Sequence, residues 1–211
     1  MSKLSVNNLS CQRGYNRLFE NLSFELNSGE ALRISGQNGS GKTSLLKIIA
    51  GLNTPELGSI LFGQSKSNSK KYQLETLYLG HYAALSSELS CIENLEYLTN
   101  LGTEIISPNF HTALRKVGLK NYEHELAGNL SAGQQRRIAL SLLFISQSKV
   151  WLLDEPFTAL DSNGVKIIEN QIEKHCASGG LCILTTHQDC NIKNLKAVSY
   201  THLTLPTIYS V

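Results

Sequence analysis

Gly36-Gln37-Asn38-Gly39-Ser40-Gly41-Lys42-Thr43 is the stretch on which the fold turns. Two glycines bracket four residues, and a lysine and a hydroxyl residue follow. An apolar run, residues 31–35, leads into it, and a helical pattern, residues 42–50, leads out to Gly51. Strand, Gly-rich turn and helix in that order make a phosphate cradle. Glycine lets backbone N–H groups turn inward and approach phosphate oxygens without a Cβ clash. The helix start adds positive potential. Lys42 brings a point charge to the outer phosphates, and the Thr43 hydroxyl is placed for Mg²⁺. The cradle so read comprises Gly36, Asn38, Gly39, Ser40, Gly41, Lys42, Thr43 and Ser44.

A second constellation lies downstream. Val150-Trp151-Leu152-Leu153-Asp154-Glu155-Pro156 is an apolar strand ending in two acids. In an open α/β sheet, carboxylates at the C-terminal edge of a buried strand come beside the phosphate loop. Asp154 is then expected to hold Mg²⁺, and Glu155 to polarise the attacking water. The patterning around these motifs predicts strands over residues 3–9, 17–26, 59–62, 77–79 and 181–184. It predicts helices over 92–101, 108–117 (with Pro108 in the first turn), 134–146 (capped by Ser131) and 163–176, and an exposed loop over 64–71. Strands gather at both ends of the sequence and helices in the middle. This implies a nucleotide-binding α/β core with a helical lobe inserted at about 82–146.

Composition bounds the reading. In 211 residues, 19 Lys and Arg stand against 17 Asp and Glu, a net +2 that is too small an excess for a nucleic-acid partner. No apolar run approaches the roughly 18–20 residues that cross a bilayer, and the N-terminus lacks a signal-peptide core, so a cytosolic chain is expected. The five cysteines form no Cys-x-x-Cys pair and read as free thiols. None of the six histidines belongs to a Cys-x-x-Cys-His motif, so no direct haem site is expected.

With the phosphate loop and the acid pair in place, Leu130-Ser131-Ala132-Gly133-Gln134-Gln135-Arg136 resembles the LSGGQ signature of the ATP-binding-cassette (ABC) ATPases, with Ala132 for the first glycine. Ala159-Leu160-Asp161 resembles the family's D-loop, and His187 its switch histidine. The resemblance implies a P-loop NTPase domain of ABC type: a RecA-like α/β core with an antiparallel β subdomain and an inserted helical subdomain. It implies an ATPase that uses ATP and Mg²⁺, with Glu155 and His187 catalytic. It also implies a homodimer in which Ser131, Gly133, Gln134 and Asp161 meet the nucleotide of the opposite cassette. The family's adenine-stacking aromatic has no clear counterpart; Arg13 occupies the position and Tyr15 follows, and either side chain can cover the ring. His81 stands where the family has a metal-linking glutamine and is a candidate metal contact.

Further runs, Leu79-Gly80-His81, Glu93-Asn94-Leu95, Asp154-Glu155-Pro156-Phe157-Thr158-Ala159 and Thr185-Thr186-His187-Gln188-Asp189, resemble the ATP-binding subunits of bacterial cytochrome c maturation haem exporters. That narrower resemblance implies membrane partners resembling CcmB and CcmC and a peripheral place on the cytoplasmic face of the inner membrane. Subunits of other small-molecule exporters, soluble cassette proteins and non-hydrolysing regulatory modules are the rival classes. A compact cassette retaining Lys42, Glu155 and His187 speaks against the last two.

One segment stands apart. After Lys196 there is no Asp, Glu, Lys or Arg, and Val198-Ser199-Tyr200-Thr201-His202-Leu203-Thr204-Leu205-Pro206-Thr207 resembles the translation of a transposase-type sequencing adapter. The cassette is therefore expected to span 1–197. Residues 198–211 are expected to be a loosely packed, non-native tail.

Overall fold

A computed structural model describes residues 2–102, 109–200 and 208–210. The chain opens with a long hairpin, β1 (Lys3–Arg13) and β2 (Asn16–Asn27), followed by β3 (Ala31–Gly36) and α1 (Lys42–Ile49). Next come β4 (Leu57–Phe62), β5 (Ser65–Lys66), α2 (Lys70–Leu74) and β6 (Thr76–Leu79). The helical lobe holds α3 (Cys91–Gly102), α4 (Phe110–Lys116) and α5 (Ala132–Ser141), the last running into a 3₁₀ turn over Leu142–Phe144. β7 (Val150–Asp154), α6 (Ser162–Ala177), β8 (Leu181–Thr185), β9 (Leu195–Tyr200) and β10 (Ile208–Ser210) complete the chain. Pro108 lies outside the described residues.

Two sheets result. The antiparallel one runs β2-β1-β4-β5; the other runs β10-β9-β3-β8-β7-β6 and is parallel except at β10. Strand alternation explains why β7 and β8 are apolar at nearly every position. Trp151, Leu153, Cys182 and Leu184 face one core, shared with Ile168 and Ile172 of α6. Val150, Leu152, Leu181 and Ile183 face another, shared with Leu45, Leu46, Ile48 and Ile49 of α1 and with Leu4, Val6 and Leu26 of the antiparallel sheet. A parallel strand covered on both faces needs apolar residues on both faces. α1 is thus held between the sheets, and its N-terminus is presented at the C-terminal edge of β3.

Two expectations need correction. Residues 64–71 are not simply a loop: they contain β5 and the start of α2. Tyr72, fully buried, anchors that helix by donating its hydroxyl to the Ile49 carbonyl at 2.6 Å. Loose packing from residue 198 also fails for the first tail residues. β9 pairs with β3 out to Gly36↔Tyr200, and Val198 is buried. Parallel pairing is made by backbone groups, and β9 adds Val198 to one core and packs Leu195 against the other. Residues 201–207 and 211 of the segment lie outside the described residues.

Candidate nucleotide site

The site forms at the C-terminal edge of β3, β8, β7 and β6, where the loops following all four strands converge. Gly39 (φ 80°) and Gly41 (φ 100°) take the left-handed conformation that glycine tolerates. Gly41 is also the N-cap of α1 and makes no side-chain cap bond, so the first-turn N–H groups remain open to an anion. Lys42, 8% exposed, folds back over its own loop. Its Nζ donates to the carbonyls of Gly36 (2.7 Å) and Gln37 (3.0 Å) and lies 3.2 Å from His187 Nε2. Burial pulls the ammonium pKa below its usual value, against the opposing pull of the Glu155 and Asp154 charges. The Ser40 hydroxyl is buried without a partner in the same loop.

The acids sit opposite. Asp154 is 1% exposed and accepts from Thr43 Oγ1 (2.8 Å) and Thr185 Oγ1 (2.7 Å). A threonine and a carboxylate in contact at the foot of a phosphate loop are hard oxygen donors. Mg²⁺ takes one or two such protein oxygens together with substrate phosphates, so the pair fits that ion. Glu155 has a left-handed backbone (φ 49°), a conformation costing a non-glycine residue about 1–3 kcal/mol. It is held there by its N–H, which donates to the Thr185 carbonyl and hydroxyl at 3.1 and 3.0 Å. Its Oε1 is buried without a hydrogen bond, with His187 Nε2 3.4 Å away. That carboxylate oxygen is thus unspent, and Glu155 shares the wall of one cavity with Lys42 and His187.

A cavity of about 560 Å³ joins these groups, and its wall includes Asn38, Gly39, Gly41, Lys42, Thr43, Ser44, Asp154, Glu155 and His187. His81 also lines it, with its ring edge-on to Tyr82 at 5.1 Å. Of the two adenine candidates, Arg13 reaches the wall. Tyr15, at the tip of the β1–β2 turn beside Gly14 (φ 61°), points fully into solvent.

The signature residues lie elsewhere, on α5. Ser131 and Gln134 form a capping box: Ser131 Oγ accepts from the Gln134 N–H (3.3 Å) and Gln134 Oε1 accepts from the Ser131 N–H (2.9 Å). A Cβ on Gly133 would meet the Ala159 carbonyl at 2.8 Å, so glycine lets the signature pack on the D-loop. Asp161 caps α6 through the Gly164 N–H and takes a 2.8 Å ion pair from Arg137. These contacts hold its carboxyl below the usual range. None of Ser131, Gly133, Gln134 and Asp161 lines the cavity within one chain.

Two contributors escape a sequence reading. Thr185 bridges β8 to Asp154, and Arg136, 5% exposed, reaches from α5 to the ends of β6 and β7. Neither has a signal beyond standing inside a motif.

Comparison with known proteins decides the family. Residues 19–158 match the ABC transporter family. The chain belongs to that family. Within it, the cytochrome c biogenesis ATP-binding export protein CcmA of Haemophilus ducreyi is 43% identical over 202 residues, covering 94% of this chain and 96% of that one. The CcmA of Vibrio cholerae is 45% identical, covering 92% and 95%, and that of Shewanella frigidimarina 47%, covering 90% and 88%. Among solved structures, an ATP-binding subunit of an ABC transporter superposes with a TM-score of 0.86 at 21% identity, covering 99% of this chain and 90% of that one. A dimeric ATP-binding cassette bound to ADP and Pi gives 0.83 at 20%, covering 98% of each. The ABC cassette fold is thereby shown. No helix among the described residues is long and apolar enough to cross a membrane.

Proposed function

We propose that this ABC cassette is the ATP-hydrolysing subunit of an export complex in cytochrome c maturation; its relatives are named cytochrome c biogenesis ATP-binding export protein CcmA. The observation that carries the hydrolytic part is the convergence of Glu155, Lys42 and His187 on one cavity, with the Thr43–Asp154 pair beside them. The N–H groups of the phosphate loop and Lys42 bind and orient the polyphosphate. Glu155 takes the proton of a water as its oxygen bonds to the γ-phosphorus, ADP departs with the bridging oxygen, and His187 donates toward the transferring phosphoryl group. Thr43 and Asp154 would hold Mg²⁺, with His81 as a further candidate contact, and the ion when bound would neutralise charge on the phosphates.

Ser131, Gly133, Gln134 and Asp161 are read as serving the nucleotide of a second copy, because they lie outside the cavity of their own chain. ATP then bridges two cassettes. A separate cleft of about 610 Å³, whose lining includes Leu52, Tyr78, Tyr82, Leu98, Ala139 and Leu142, supports membrane subunits as partners. It is largely apolar, and both Leu52 and Tyr82 are exposed. Subunits resembling CcmB and CcmC, and a peripheral position on the cytoplasmic face of the inner membrane, complete the reading. Residues 1–197 are taken as the cassette, with 82–146 as its lobe and 198–211 as appended sequence. Sequencing the gene across that junction checks the boundary.

Glu155→Gln is the direct test. The variant keeps the volume of the side chain and loses the base. It is expected to bind ATP, to keep only a slow residual hydrolysis about a hundredfold or more below wild type, and to elute as an ATP-dependent dimer in size-exclusion chromatography. Turnover at the wild-type rate rejects the base assignment.

A further inference from the structure

Arg136 makes contacts that the proposed chemistry does not use. Its Nη1 donates to the Gly80 carbonyl at 2.6 Å and lies 3.4 Å from that of His81. Its Nη2 donates to the carbonyls of Asp154 (2.8 Å) and Glu155 (3.0 Å). One planar fork thus joins α5 of the lobe to the loops leaving two different strands of the core. Burying a guanidinium is costly, and its Nε is left without a partner. Packing alone is served better by an apolar side chain. What the fork supplies is geometry: two N–H directions fixed relative to each other, which a lysine cannot reproduce. One of them fastens the peptide of Glu155, the residue with the left-handed backbone.

We propose that Arg136 is a positioning residue for hydrolysis. It sets the Glu155 peptide against the Gly80–His81 loop and so aims the Glu155 carboxylate at the phosphate side of the cavity. The inference rests on the ATPase reading. It also gives the lobe a rigid link to the base, since α5 carries both Arg136 and the wall of the apolar cleft at Ala139.

Arg136→Lys and Arg136→Gln in the full chain test it. Each keeps donors in the pocket and breaks the fork. In the variants kcat is expected to fall about tenfold or more while the KM for ATP stays within about twofold, as for a loss confined to the transition state. In single-turnover assays, adding Arg136→Lys to Glu155→Gln is expected to have no further effect, because the arginine acts through that carboxylate. Additive losses in this cycle, or unchanged kcat in both variants, overturn the proposal. So does loss of folding or of ATP binding in both, which assigns Arg136 a purely structural role. A wild-type chain without turnover counts instead against the hydrolase reading.

Discussion

Lys42 shows what a single side chain contributes. Its ammonium is bonded to the Gly36 and Gln37 carbonyls, and burial lowers its pKa. A polyphosphate offers the same ammonium charged oxygens, and bonds to charged groups are worth about 1.5–3 kcal/mol each. Lys42→Ala is therefore expected to weaken ATP binding by about tenfold or more and, because two carbonyl bonds go with the ammonium, to lower the urea midpoint of the nucleotide-free chain as well. Titration with a fluorescent nucleotide analogue checks the first and denaturation the second. Lys42, Thr43, Asp154 and Glu155 are legible in the sequence, because motif spacing encodes local geometry: strand, turn, helix, strand end; His187 comes only with the resemblance to the ABC family. Arg136 and Thr185 are not legible, because their partners lie 18, 56 and 31 residues away and only the folded sheet brings them together. The choice between Arg13 and Tyr15 turned on a two-residue turn, which periodicity does not resolve.

Elements depend on local irregularities as much as on pattern. β1 is bent where its pairing with β4 shifts register between Asn7 and Ser10, and Asn8 there has φ 47°. The Asn8 N–H donates to Ser23 Oγ on β2 at 2.8 Å. Gly58 (φ 94°) lies against the bulge so closely that a Cβ would run into the carbonyls of Asn7 and Asn8. Gly58→Ala combines backbone strain with a steric clash against main chain and is expected to cost about 2 kcal/mol or more. A lowered urea midpoint with unchanged nucleotide affinity at low temperature is the expected result, since the phosphate loop belongs to the other sheet. The same sensitivity explains which elements the sequence concealed. Residues 3–9 and 17–26 alternate and are readable as strands, and the structure extends them past the bulge to Lys3–Arg13 and outward to Asn16–Asn27. The stretch from Ser65 to Leu74 has few apolar residues to carry a period, and its anchor Tyr72 lies just past the segment read as a loop. β9 carries too little apolar alternation to be read as a strand, yet the exposed edge of β3 accepts it.

At the scale of the molecule, one buried base ties global stability to pH. Trp151 of β7 and His175 of α6 stack with centroids 3.7 Å apart and planes 3° from parallel, joining sheet to helix. His175 Nε2 bonds the Leu181 carbonyl at 3.2 Å, so that nitrogen carries the proton of the neutral ring. Burial lowers the His175 pKa from 6.5 to about 4. Above about pH 6.5 the ring is neutral in both folded and unfolded chains, and stability does not depend on it. As pH falls from there toward 4, the unfolded chain takes up a proton that the folded chain refuses, so unfolding becomes easier. Integrated over that window, the loss is about 3 kcal/mol at most, a substantial part of a typical domain's 5–15 kcal/mol. His175→Phe keeps a ring on Trp151 and removes the titration. Its stability at pH 7.5 is expected to drop, because the bond to Leu181 is lost and the larger ring crowds Gly180, already close to the imidazole. The pH slope is the diagnostic. Between pH 6.5 and 4.5 the urea midpoint of the wild type should fall more steeply than that of His175→Phe, and carboxylates common to both cancel in the difference. Parallel curves would mean that His175 takes up its proton without disturbing the stack and that acid lability arises elsewhere.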